Sequence, residues 1–145
     1  RAVNNNPMLE GVISTADLGY DKDWEVHEFL KPIFIGGVGF CHYWPVGAMG
    51  RPASSATVIV NKLHMSCVAG HQQGKQVAYG KRADGQPICG IIAGSFYLHD
   101  EDYMDILSNR HWRGLVMLNE VEDGAFDEMF LSMNYLRKKY ATDAT

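Results

Sequence analysis

Apolar and polar positions along the chain fall into short runs rather than long amphipathic stretches. From "WEVHEFLKPIFIGGVGFCHYWP", residues 24–45, aromatic and β-branched residues gather in strand-like runs broken by Pro32 and by the pair Gly36-Gly37. Two adjacent glycines between "PIFI" and "VGFCHYW" predict a tight reversal. "GAMGRPASSATVIVNKLH" has a Gly-rich entry and a Ser54/Ser55 pair that could cap a helix running to about His64, against the crowding of β-branched residues from Thr57 to Val60. "MSCVAG" then reads as a strand, and "KQVAYGKRADGQPICGIIAGSFY" as two strands around Asp84-Gly85. A second hairpin is expected in "WRGLVMLNEVEDGAFDEMFLSM", turning at Asp123-Gly124. The opening "RAVNNNPMLEGVISTADLGYDKD" has no clean period; it reads as the tail of a helix followed by small turns. These patterns alone predict an α/β or α+β domain of several short strands.

At 145 residues the chain has the size of one ordinary domain or part of one, spanning residues 1–145. A net charge of -4 exerts no general pull on nucleic acid or an anionic membrane, so a nucleic-acid substrate is open but not required. No apolar tract approaches the length of a membrane span. Cys41, Cys67 and Cys89 lie in apolar strand-like stretches and cannot all pair, which reads as reduced thiols in a cytoplasmic protein. The chain begins at Arg1, without an initiator Met or a signal peptide, and is read as a processed product or a piece of something longer.

Candidate chemistry sits at strand ends. His42 follows "VGFC" and His71 follows "SCVAG", so two strands could present imidazoles at one sheet edge, where a metal ligand gains fixed geometry. Each is also readable as an ordinary turn or core histidine. Two histidines do not complete a hydrolytic metal site, and neither an HxxxH motif nor a paired-Cys spacing supplies the rest. His27, His64 and His99 lack a supporting motif and read as surface or packing residues. "HDEDYMD", residues 99–105, reads as a solvated acidic loop lacking the Gly-centred spacing of a calcium loop. "PVGAMGRP" could cradle a phosphate beside Arg51, although a flexible turn is the simpler reading. The basic residues of "NYLRKKY" suit a helix C-terminus as well as a nucleic-acid contact. A cysteine hydrolase using Cys41 and His42 is the poorer alternative, because neighbours on a strand face opposite ways.

"GFCHYW", then "CVAGHQQG", then "PICGIIAGSF" and "RHWRGLVMLNEVEDG", in that order, resemble the C-terminal half of calcineurin-like metallophosphoesterases over roughly residues 1–125. The resemblance implies a metallophosphoesterase-like β-sandwich flanked by helices, four layers α/β/β/α in the intact parent, of which this chain is part. It implies metal-dependent hydrolysis of phosphate mono- or diesters by that parent. The cofactor would be two divalent ions (Mn, Fe, Ni or Zn) that activate water and offset charge on the phosphoryl oxygens. His42 and His71 match metal ligands of the family. In its Gly-His-x-His motif this chain has "GHQQ", so Gln73 stands where a second histidine would, a neutral and weak ligand or a turn amide. "IIAGSF" resembles the strand and Gly-Ser turn near the substrate, and "HWRGLVML" an outer strand of the second sheet. Tyr43, Trp44 and Arg51 are the candidate substrate-binding residues; the aromatic-wall reading requires Trp44 to be partly exposed toward the histidines. The family's Asp-x-His, Gly-Asp-x-x-Asp and Asn-His-Glu segments do not occur in this sequence, and "RAVNNNPMLEG" resembles the helix after the last of them. The expected partners are therefore a phosphoester and the missing N-terminal half of the same fold, or a second copy through self-association. The alternative is a non-catalytic binding or structural module derived from the fold.

Overall fold

The computed structural model describes residues 19, 22–106 and 108–141. The expected helix tail at the start of the chain lies outside them. The chain divides into two units, 1–31 and 32–145. In the first, residues 22–31 are irregular, with a turn at 29–30, rather than the strand that "WEVHEFL" suggested. The Leu30 backbone is left-handed (φ 62°), and Lys31 N–H closes a turn on the Glu28 carbonyl at 3.1 Å. Aromatic and β-branched content alone makes no strand without a ladder partner.

The second unit is a mixed α/β domain. Its elements, in chain order, are strands β1 (Ile33–Ile35) and β2 (Val38–Cys41), helix α1 (Ala56–Leu63), and strands β3 (Cys67–Ala69), β4 (Gln76–Lys81) and β5 (Pro87–Ile92). Strands β6 (Gly114–Glu122) and β7 (Ala125–Ser132) and helix α2 (Met133–Tyr140) follow. Five strands form one sheet in the order β1-β2-β3-β5-β4, and β6 pairs with β7 in a two-stranded sheet. The centre, β2, β3 and β5, is parallel, and antiparallel β1 and β4 close the two edges. The two sheets and two helices among the described residues thus bear out the α/β expectation.

Local chemistry explains most boundaries. Gly36 and Gly37 both have positive φ (55° and 82°), the conformation of a two-residue hairpin turn whose twist matches its strands. Asp123 and Gly124 repeat it at φ 48° and 83°. The two turns meet: Gly124 N–H donates to the Gly36 carbonyl at 2.8 Å, and a side chain at Gly37 would lie 2.5 Å from Gly124 N. Helix α1 is capped by Ser55, whose hydroxyl accepts from Val58 N–H, and it ends at His64 in the left-handed conformation (φ 52°). One face of α1 rests on β4 and β5, where Gly80 and Gly90 leave room for Val60. Because β5 is covered on both faces, Ile88 to Ile92 are buried without alternation, as expected of an interior strand. The core groups Trp44, Ala53, Ala56, Ile59, Cys67, Ala69 and Ile92.

Candidate functional site

The site starts from strand register. Cys41, the last residue of β2, lies opposite Ala69, the last residue of β3, in a parallel pair. The pairing continues one step, with Gly70 N–H donating to the His42 carbonyl at 3.0 Å. The chain then reverses. Gln72 N–H reaches back to the Gly70 carbonyl at 2.7 Å, with His71 between them at φ 61°. A three-residue turn with a left-handed centre is the rare form, with strain on the order of 1–3 kcal/mol for a residue other than glycine. His71 is held there nonetheless.

The consequence is that the two imidazoles meet. His71 Nδ1 lies 3.2 Å from His42 Nε2, with ring centroids 5.1 Å apart. The Tyr43 ring flanks both, 5.0 Å from His71 and 5.8 Å from His42. Between neutral rings, one N–H donates to the lone pair of the other. Burial, reinforced by the nearby His71, lowers the His42 pKa below its ordinary value, favouring the neutral imidazole that can act as a ligand. The spacing can be tested against a metal. Two nitrogens at about 2.0–2.1 Å from a tetrahedral ion stand roughly 3.3–3.4 Å apart. The observed 3.2 Å is close to that spacing, and it is equally that of an N–H···N hydrogen bond, whose proton would have to leave before both nitrogens could bind one ion. Among the described residues no group of three or more His, Cys, Asp and Glu side chains is placed to hold an ion.

The other expected site residues lie in different settings. The Gln73 side-chain amide donates to the Tyr103 hydroxyl at 2.6 Å and its carbonyl accepts from Ser95 Oγ at 3.2 Å, so this residue ties the turn to the acidic loop. Trp44 is only 5 % exposed and packs in the core, with its indole nitrogen buried and unpartnered among the described residues. It therefore offers little surface to a ligand, and among the described residues the ring flanking both histidines is that of Tyr43. Arg51 is exposed at the end of a turn closed by Gly47 N–H on its carbonyl at 3.0 Å, and its side chain makes no bond to either imidazole. In the acidic stretch Asp100 pairs with Arg113 at 2.9 Å, the Glu101 carboxylate lies 3.3 Å from His99, and Asn109 bonds the Glu101 backbone and the Met104 carbonyl. His64 caps a helix, His99 stacks on Tyr97 at 4.6 Å, and His27 lies 3.5 Å from Glu25. All three thiols are free; burial pushes Cys67 and Cys89 up to about 12, which keeps them protonated and poor nucleophiles.

Two residues absent from the sequence reading support the site. Gln72 donates through its side chain to the Ala53 carbonyl and accepts from Gln76 Nε2 at 3.3 Å, while Gln76 Oε1 accepts from Ala56 N–H at 3.1 Å. This amide chain fastens the turn after β3 to the start of α1. The three glutamines of "HQQGKQ" were visible as a polar cluster, but nothing in the sequence separates a ligand amide from a bracing one. No protein-family model, curated protein or solved structure matches the chain.

Proposed function

We propose that this chain contributes His42 and His71 to a divalent-metal centre that hydrolyses phosphate mono- or diesters within a larger metallophosphoesterase-type protein or assembly. The observation that carries this reading is the 3.2 Å approach of two imidazoles from the ends of adjacent parallel strands, one of them on a left-handed backbone. When bound, the metal would lower the pKa of water and offset charge on the phosphoryl oxygens. The chain's own part is to bind and orient. The β2–β3 register sets the two strand ends level, the Gln72–Gln76 chain braces the turn, and Tyr43 covers one side of the rings. The remaining ligands and the water-positioning carboxylates come from outside the described residues.

A second reading, a binding module without catalysis, draws support from the engagement of Gln73 with Tyr103. One experiment separates the two. Titrate Zn, Mn or Ni into the chain by calorimetry, and assay a generic phosphodiester with the same metals. The proposal expects one ion per chain, lost on His42→Ala or His71→Ala with at least about a tenfold fall in affinity, and little turnover by the 145-residue chain itself. Turnover should appear when the missing ligands are supplied on a longer chain or a partner, and His71→Ala should abolish it. Absence of metal binding would defeat the metal reading, and metal binding without turnover in any such assembly would favour the binding module.

A further inference from the structure

A cavity of about 360 Å³ opens between the loop that precedes β6 and the start of α2, sharing no residue with the histidine pair or its amide network. Its wall includes Asn109, Arg110, Arg113, Ser132, Asn134 and Arg137, and among the described residues no carboxylate lines it. In a chain of net charge -4, the guanidiniums of Arg110 and Arg137 around one concavity, beside an Arg113 already paired with Asp100, are a local reversal of sign.

The three arginines do different things. Arg113 is committed to the protein: its guanidinium donates to the Leu98 and Asn109 carbonyls and to Asp100, and it lies over the Tyr97 ring at 4.8 Å. It fixes the loop against β6. Arg110 and Arg137 are exposed and form no ion pair or side-chain hydrogen bond among the described residues. The start of α2 adds a further positive element. Met133 N–H is satisfied by the Arg113 carbonyl at 2.7 Å and Tyr135 N–H by Ser132 Oγ at 3.2 Å, which docks the positive end of the helix dipole at the cavity wall. A second concavity of about 390 Å³, lined by Asn134, Arg137, Lys138 and Ala141, shares two of these residues, so the basic surface continues along α2.

We infer that this cavity binds the phosphate group of a small phosphorylated molecule, gripped by Arg110 and Arg137 over the start of α2. Two unpaired planar guanidiniums match the charge of a dianion and can each meet two of its oxygens, which a single carboxylate would leave half used. The volume is that of a small-ligand pocket, and the chain's overall negative charge works against a long polyanion. The inference does not depend on the metal reading.

The test is calorimetric titration of the full chain with pyrophosphate in a chelator, at low salt, so that no metal bound by the histidines contributes. Saturable binding at one site is expected. Arg110→Gln and Arg137→Gln should each weaken it by about tenfold or more, whereas Lys81→Gln, an exposed cation on edge strand β4, and His71→Ala should leave it unchanged. Both arginines are exposed, so circular dichroism should show the variants folded as the parent. Lack of saturable binding, or arginine variants that behave like Lys81→Gln, would overturn the assignment. Tighter binding of a single-stranded oligonucleotide than of pyrophosphate would also overturn it, in favour of a nucleic-acid surface.

Discussion

If His71 is kept on a left-handed backbone for the sake of its ring, then two substitutions that both remove the ring should differ in stability. In His71→Ala the methyl remains at φ near 61°, where an L-residue is disfavoured by roughly 1–2 kcal/mol. His71→Gly removes that penalty but gives the unfolded chain more freedom, worth about 0.4–1 kcal/mol in the other direction. Both variants lose the same contacts, the bond to His42 and the edge of Tyr43, so those terms cancel in the comparison. What remains is a glycine variant more stable than the alanine variant by about 0.5–1 kcal/mol. At about 2–4 °C per kcal/mol for a chain approaching 150 residues, this is a small but measurable difference in Tm, and urea midpoints provide an independent check. Metal affinity should be lost equally in both. An alanine variant as stable as the glycine variant, or more so, would show that position 71 is not held left-handed in solution, and the strained turn could no longer be cited in support of a functional role.

Further outcomes follow from the packing and the charge of the same unit. A methyl on Gly90 would stand 2.6 Å from Val60 Cγ2 and 3.0 Å from the Ala56 carbonyl, so Gly90→Ala should destabilise by about 1–3 kcal/mol. Combined with Val60→Ala, part of that loss should be recovered; strictly additive effects in the double-mutant cycle would refute the seating of α1 on the β5 notch. His42, whose pKa is lowered by burial and by His71, binds its proton less readily folded than unfolded. Its stabilising contribution is therefore complete above the unfolded value of 6.5 and is lost as pH falls through that value to the lower folded one. A melting series from about pH 8 to 5 should show a shallower decline for His42→Gln than for the parent, and equal slopes would remove the coupling.

What the sequence determined by itself was local. Gly36-Gly37 and Asp123-Gly124 specified their turns because positive φ at two successive positions is a demand few residue pairs meet, and Ser55 announced α1 because a hydroxyl before a helix satisfies an orphan N–H. The parallel strands could be seen as apolar runs, and their two histidines as groups at strand ends. Trp24–Leu30 has strand-forming residues and is irregular up to a turn at 29–30, because strand formation depends on a partner that composition cannot supply. Tertiary structure decided the rest. It placed β2 beside β3 in a register that levels Cys41 with Ala69, and without that register His42 and His71 would be two unrelated imidazoles 29 residues apart. It drew Trp44 into the core and left Tyr43 beside the rings, although the two are neighbours of similar character in the sequence. It also separated the committed Arg113 from Arg110 and Arg137, which are unpaired among the described residues, a distinction of partners rather than of residue type. The physical reason is common to all three. Periodicity and turn chemistry act through neighbouring dihedrals, whereas a binding site depends on distances between groups far apart in the chain, and those exist only once the strands have paired and the core has closed.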